Sequence, residues 1–487
     1  MKLCLIVPPS VFLLDERVFM TLGILRVAAV LENAGHQVEV LDLSGVANYG
    51  EAVRDYVLSS EVELFGLTAT TPQLPAAIEV ATVIRLNKPG ARLILGGPHV
   101  TLVNAARKKG ISRAEKAFRQ LQAHFNQLVA GDGEKAVFQA LSNPSTTLVD
   151  ADDLQSDLFL INQVLSELPF PARHLVDVGS YHYQIDGARA TSLIAQLGCP
   201  FGCGFCGGRS SPTFRKIRMR SIESIVAELR HLYETYGFTG FMVYDDELNV
   251  NPQMVKLMGA IGQLAQELNV EFKLRGFVKA ELLTDEQAAA MYRAGFRWIL
   301  VGFESGSPRI LKNIQKKATR EDNTRAVEIA RRHGLKVKAL MSLGHPGESA
   351  ATVLETYDWL LKVRPDDFDA TIITPYPGTP YYDNAFLVSQ EEGIWKYVIN
   401  GDALYSLEVD YTRVADYYKG DPNDGYVSYV FTDFLSCVKL AEWRDWLEKK
   451  VRETLNIPFN PSLPAQRYEH SMGCLPPSIL RVQHVAN

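Results

Sequence analysis

Two series of short apolar runs, each separated by amphipathic stretches, organise most of this chain. In the first third, Lys2–Val7, Gln37–Leu43, Glu63–Thr70, Arg92–Leu95 and Leu128–Ala130 have the near-continuous apolar character of buried parallel strands. Helical spacing fills the gaps at Thr21–Asn33 (closed by Gly35), Glu51–Ser59 and Pro75–Leu86. The alternation predicts an α/β, doubly wound (Rossmann-like) unit. A second series runs through Thr191–Leu197, Gly240–Asp245, Glu271–Val278, Arg297–Phe303, Lys336–Leu343 and Ala370–Thr374. Helices are expected between them at Ile222–Tyr236, Pro252–Leu268, Asp285–Ala294, Arg320–His333 and Ala350–Val363. Thr284 with Gln287 forms a capping-box pattern, and Gly295 and Gly334 are placed to end helices. Six strands alternating with helices predict a partial (β/α)6 barrel of TIM type. The expected divisions are 1–141, a linker at 142–188, the barrel at 189–385 and a small, mostly helical carboxyl-terminal region at 386–487. Residues 102–127 read as one charged, solvated helix inserted in the first unit.

Composition narrows the function. A chain of 487 residues is too long for one ordinary core. Its 47% hydrophobic and 22% charged residues are those of a globular protein, and a net charge of −6 gives no reason to expect nucleic acid. No run approaches the ~20 apolar residues of a membrane span, and the apolar start Met1–Val7 is cut short by Pro8-Pro9. Six cysteines make no disulfide framework, and Cys4, Cys437 and Cys474 read as reduced thiols, so a cytoplasmic location is expected.

The chemistry concentrates at predicted strand ends. Cys199-Pro-Phe-Gly-Cys203-Gly-Phe-Cys206 supplies three thiolates from one loop after the first barrel strand. Structural zinc takes four ligands, and no fourth lies near. A [4Fe–4S] cubane held by three cysteines keeps one iron open. The second strand ends in Tyr244-Asp245-Asp246-Glu247, where helix capping before Pro252 is the alternative to ligand binding. Arg275 in the third strand suits either an ion pair or a ligand anion. The fourth closes on Gly302-Phe303-Glu304-Ser305, and a lone carboxylate there is hard to explain by packing. In the first unit the corresponding edges are Pro8–Phe12, Thr70-Thr71-Pro72-Gln73, Gly96-Gly97-Pro98-His99 and Gly131-Asp132-Gly133-Glu134. Glycine there lets a large ligand approach the backbone, or serves a tight turn.

The cysteine loop resembles that of radical S-adenosylmethionine (SAM) enzymes. The sequence Leu22-Gly23-Ile24-Leu25, followed by the Gly96 and Gly131 motifs, resembles the cobalamin-binding domain of the B12-dependent branch. The resemblance implies a [4Fe–4S] cluster on Cys199, Cys203 and Cys206, with SAM on its open iron. It implies cobalamin (methylcobalamin or hydroxocobalamin) in residues 1–141. By the same resemblance Asp245 or Asp246 would hold the SAM ammonium, and Glu304 with Ser305 the ribose hydroxyls. Phe205 would lie near adenine, Gly207 just after the loop would be a cofactor-binding residue, and His345 belongs to a matching fifth-strand motif. The Asp-x-His-x-x-Gly motif that gives other B12 proteins a cobalt ligand is absent, so Thr70, Thr71 and Gln73 would lie under cobalt. His99 is more readily explained as a satisfied turn residue than as a ligand. The activity implied is methylation of an unactivated carbon in a small-molecule (natural product or lipid-like) substrate. A flavodoxin- or ferredoxin-type donor would supply electrons. A B12-dependent cyclase or ring-rearranging enzyme is the alternative, as is a cobalamin sensor or carrier with a vestigial cluster. The tail His470–Pro476 resembles a terminal segment of the family. Trp395, Tyr405, Tyr411, Tyr417 and Tyr429 suit either a substrate pocket or packing.

Overall fold

The computed structural model describes residues 1–11, 13, 16–419, 425–458 and 482–485. Its first sheet comprises β1 (Lys2–Val7), β2 (Gln37–Asp42), β3 (Leu64–Thr68), β4 (Arg92–Gly96), β5 (Gln127–Ala130) and β6 (Leu148–Asp150). They run parallel in the order β2-β1-β3-β4-β5-β6. Beyond Lys2 every residue of β1 is apolar and buried, as a strand covered on both faces requires. Helices α1 (Leu22–Asn33) and α6 (Gly133–Ser142) cover the face carrying Leu3 and Leu5. Helices α2 (Tyr49–Ser59), α3 (Leu74–Asn87), α4 (Pro98–Lys108) and α5 (Ser112–His124) cover the face carrying Cys4 and Ile6.

Two expectations change here. β6 falls in the stretch read as linker, because three residues are too few to show a period. The charged stretch is two helices, broken at Gly110 where φ is +77°. Nor is its first half solvated: His99 to Ala106 are all buried. α4 is a crossover between β4 and β5, and it lies against the second unit, with Leu102 facing Gly207 and Gly378.

The second sheet comprises β7 (Ala188–Leu193), β8 (Gly240–Val243), β9 (Lys273–Phe277), β10 (Phe296–Glu304), β11 (Lys336–Leu343) and β12 (Asp367–Ile372). These six are parallel and adjacent in chain order, with Gln184–Ile185 antiparallel along β7. The helices between them are α7 (Ile222–Tyr236), α8 (Met254–Leu268), α9 (Asp285–Ala294), α10 (Arg320–Arg332) and α11 (Ala350–Val363). Thr284 and Gln287 cap α9 reciprocally, and Gly295 ends it at φ +109°. The result is the open six-strand barrel that the sequence pattern predicts.

The carboxyl-terminal region has its helix, α12 (Cys437–Leu455), but also an antiparallel sheet absent from the sequence reading: β13 (Phe386–Ser389), β14 (Ile394–Ile399), β15 (Asp402–Leu407) and β16 (Val430–Thr432). α12 covers the exposed edge of β12. Glu448 accepts the Ala370 N–H at 3.0 Å and Arg444 donates to the Ala370 carbonyl at 2.7 Å, satisfying an edge that would otherwise invite pairing. Tyr382, Tyr411 and Tyr417 pack with α3, α4 and α5 of the first unit, which is the packing alternative for the aromatic region. The tail His470–Pro476, with Cys474, lies outside the described residues. Among the described residues no helix is long and apolar enough to cross a membrane.

Candidate active site

Asp245, at the end of β8, fixes the chain as it leaves β7. Its Oδ1 accepts the N–H groups of Ala195 (2.7 Å) and Gln196 (3.1 Å). The cysteine loop that follows is tied down on both sides. Cys199 donates its N–H to the Phe214 carbonyl (2.9 Å), Gly204 to that of Ile314 (2.8 Å), and Tyr381 to that of Gly204 (3.2 Å). A Cβ on Gly204 would come within 2.6 Å of the Tyr381 ring, so the loop can lie this close only with glycine there. Asp245 Oδ1 is thus occupied by the backbone, while the negative charges of Glu247 and Asp246 are felt at the Cys199 thiol.

The electrostatics hold the thiols protonated until a cationic group offsets their charge. Burial pushes the Cys199 thiol up to about 11, and the neighbouring Glu247, Asp246 and Cys203 push the same way. Cys203 and Cys206 are raised chiefly by burial as well, with Lys316 and Lys279 opposing at Cys203. Three neighbouring thiols that resist ionisation become thiolates when a cationic group supplies the compensating charge. Among the described residues no three His, Cys, Asp or Glu side chains converge on one point as a single ion requires. A cubane puts each thiolate on a different iron and does not need that convergence.

Glu304 closes β10 at φ +64°, a strained angle for a residue with a side chain. Its Oε1 accepts Lys316 Nζ at 2.7 Å and its Oε2 accepts the Ser342 hydroxyl at 2.8 Å. Burial would raise its pKa, but the Lys316 ammonium and these two hydrogen bonds hold it below the usual range. Ser342 also meets His345 Nε2 (2.8 Å), and His345 Nδ1 meets the Tyr381 hydroxyl (3.3 Å). Since Ser342 donates to Glu304, the network assigns the His345 proton to Nε2. Phe205 meets the edge of the His345 ring at 5.2 Å. A cavity of about 270 Å³ inside the barrel is lined by Glu247, Glu304, Lys316, Asp369 and Thr371, among others.

A second cavity, of about 360 Å³, opens at the carboxyl edge of the first sheet. Its walls include Gly23, Thr70, Gln73, Gly96, Gly97 and the Gly131–Glu134 loop, and from the second unit Leu197 and Phe214. It runs inward along Leu3, Leu5 and Gly66. Gly97 and Gly131 are steric necessities: both have positive φ, and a Cβ would lie 2.5 Å from Thr68 Oγ1 and 2.6 Å from the Ala151 carbonyl carbon respectively. A Cβ on Gly23 would meet nothing within 4 Å, and one on Gly96 only Val129 at 3.7 Å, so both leave space in the cavity. Gln73 is locked in place, donating to the Pro8 carbonyl and Ser10 while accepting from Thr70. Asp132 pairs with Arg218 across the units and Glu134 lies 3.7 Å from Arg26.

Several sequence candidates lie elsewhere. His99 is buried with Nδ1 3.1 Å from the Thr71 hydroxyl, and neither residue lines the cavity; burial lowers His99 to about 3. Ser305 faces α11, meeting the Thr356 hydroxyl at 3.0 Å. Arg275 is buried beside Trp298 and Tyr183, away from both cavities. Gly207 is exposed against Leu102. Conversely Lys279, Lys316 and Tyr381 carry no signal in the sequence, and Ser342 enters it only as the start of the fifth-strand motif that contains His345, with no role of its own. Lys316 sits in the unpatterned run Gln315-Lys316-Lys317, where no sequence signal separates a buried lysine from an exposed one.

The profile of the Radical SAM superfamily matches residues 193–360, and that of the B12 binding domain matches residues 16–122. The chain belongs to the cobalamin-binding branch of the radical SAM superfamily. An uncharacterised methyltransferase of Pyrococcus horikoshii is 26% identical over 430 residues, 84% of this chain and 85% of that relative. The anaerobic magnesium-protoporphyrin IX monomethyl ester cyclase of Rubrivivax gelatinosus is 22% identical, covering 82% of this chain and 73% of the cyclase. The methyltransferase TsrM of Kitasatospora setae, solved with cobalamin and a [4Fe–4S] cluster, superimposes with a TM-score of 0.65 at 18% identity, covering 98% of this chain and 91% of TsrM. That likeness is one of fold. This radical SAM enzyme therefore takes a [4Fe–4S] cluster, SAM and cobalamin as cofactors. The donor sets above fit them: three clustered thiols for the iron, and a glycine-edged cavity with an apolar depth for cobalamin.

Proposed function

We propose that this enzyme methylates a carbon of a small organic molecule, with Cys199, Cys203 and Cys206 as cluster ligands and residues 1–141 as the cobalamin domain. One observation carries the reading. The cavity of the first unit takes part of its wall from Leu197, Thr213 and Phe214, which flank the cysteine loop. Two cofactors in these places face a shared space. When bound, the cluster with SAM supplies a one-electron cleavage that yields a carbon radical, and cobalamin supplies a methyl group.

The chain's own part is to bind, orient and shield. Asp246 and Glu247 offer carboxylates for the SAM ammonium beside the cysteine loop, in the place the sequence reading gave to Asp245 or Asp246. Glu304, held ionised by Lys316 and Ser342, keeps acceptor capacity for ribose hydroxyls, since each carboxylate oxygen has two lone pairs. His345 and Tyr381 orient Ser342, and Phe205 packs against that ring. Thr70 and Gln73 form the loop of the cobalamin cavity in place of a histidine. The first unit caps the barrel mouth and keeps water from a reactive radical. A cytoplasmic setting and an external one-electron donor complete the proposal.

The test is anaerobic reconstitution with iron and sulfide, followed by SAM and dithionite. Release of 5′-deoxyadenosine, and a product heavier by one labelled methyl when SAM carries deuterium, supports the reading. 5′-Deoxyadenosine without methyl incorporation points to a cyclase. Cobalamin uptake with no SAM cleavage leaves a carrier.

A further inference from the structure

We propose that the outer face of the cysteine loop is the docking site for a small acidic, low-potential electron-transfer protein. This rests on the assignment of a reducible cluster to that loop. A shallow basin of about 770 Å³ has Pro200, Phe201 and Gly202, the residues between Cys199 and Cys203, as part of its floor. Its rim carries Arg209, Arg215, Lys312, Lys317 and Arg320, against the single carboxylate of Glu321. Lys312 and Lys317 are exposed, and no salt bridge to them occurs among the described residues. Arg209 donates to the Gly202 carbonyl and Arg215 to that of Pro200 at 2.5 Å, so their charges are fixed to the cysteine loop itself. Arg320 lies 3.8 Å from Glu321, the one pairing within the group.

A concentrated basic rim stands out on a chain whose net charge is −6. Like charges held together without partners disfavour the free surface and favour an anionic partner. The place of the patch decides which partner. It takes in Pro200, Phe201 and Gly202, the residues between two of the three thiols, and shares no lining residue with the cobalamin cavity. One electron passes from the reduced carrier to the oxidised cluster, leaving the carrier oxidised by one electron; no proton or atom is transferred. Phe201, whose ring has Lys279 Nζ 4.2 Å from its centroid, lies in the floor between the basin and the buried lysines.

The test uses the reconstituted holoprotein and a flavodoxin as probe. Binding is measured by calorimetry at two salt concentrations for the wild type, for Lys312→Glu/Lys317→Glu, and for Lys256→Glu/Lys362→Glu on the outer helices as a charge-matched control. The proposal expects the rim variant to bind at least tenfold more weakly, with a flatter salt dependence, and the control to bind as wild type. SAM cleavage under saturating dithionite stays the same in all three. Equal weakening in rim and control variants, or unchanged affinity in the rim variant, overturns the docking site. So does a basin that binds RNA but not flavodoxin. Failure of the wild type to cleave SAM with dithionite would instead sink the radical SAM assignment, so the two failures are separable.

Discussion

Glu304 combines a strained backbone with a buried charge, and its neighbours explain both. The left-handed turn at φ +64° aims the carboxylate back into the barrel, where Lys316 and Ser342 meet one oxygen each. Removing Lys316 leaves an uncompensated buried anion. Lys316→Met should therefore destabilise the protein by about 3 kcal/mol and weaken SAM binding, readable by urea unfolding and by calorimetry. Two buried groups set opposite pH dependences. His99 falls from 6.5 to about 3, so the folded state binds fewer protons than the unfolded chain; its stabilisation is complete above 6.5 and lost as pH falls toward 3. Asp245 rises from 3.8 to about 7, so its contribution is complete below 3.8 and lost as pH rises through 7. Asp245→Asn should flatten the stability profile between about pH 4 and pH 7, while His99→Gln should flatten the acid side, between about pH 3 and pH 6.5. Urea unfolding across that range checks both signs.

At the scale of elements, the same residue type does opposite jobs. Gly131 sits where a Cβ would strike the backbone of Ala151, so Gly131→Ala should be destabilising by about 2 kcal/mol or more, seen in urea unfolding. Gly23 sits on α1 with open space before it. Gly23→Leu should raise stability by up to about 1 kcal/mol through helix propensity while blocking cobalamin uptake, measured by absorbance of the washed, reconstituted protein. Loss of both fold and uptake would show that Gly23 is structural. The sequence made α1 and the glycine edges legible because period and turn chemistry are local. It did not make the α4–α5 break legible, since charge alone cannot tell a solvated helix from a crossover packed on two units. The sheet β13–β16 is not legible for a related reason: its strands are short, and Ile394–Ile399 (IWKYVI) carries no two-residue alternation that would mark it as a strand.

Across the whole molecule, the two units are joined by polar contacts that border the cofactor cavity. Arg218 pairs with Asp132 and lies 4.8 Å from the Phe159 ring centroid. Asp152 accepts the Ser211 hydroxyl at 2.6 Å and the Thr213 N–H at 2.8 Å. Arg113 of α5 lies over Tyr382 of the second unit and Trp395 of the carboxyl-terminal sheet. Arg218→Met would leave Asp132 without its cation. Calorimetry should show a lower melting temperature, and cobalamin retention should fall although no cavity-lining residue has changed.

Strand and helix order, the cysteine loop and the glycine edges follow from the chain by itself, because they rest on short-range periodicity and on residue types with few alternatives. Tertiary structure alone set Asp245 Oδ1 on the N–H groups of Ala195 and Gln196, some 50 positions away, which no local pattern at the end of β8 shows. Only folding brought Lys316, Ser342, His345 and Tyr381, separated by up to 65 positions, into one network around Glu304. It also withdrew His99, Ser305 and Arg275 from the cavities. Burial and partnership are decided by what packs against a side chain from distant parts of the chain, and no local pattern encodes that.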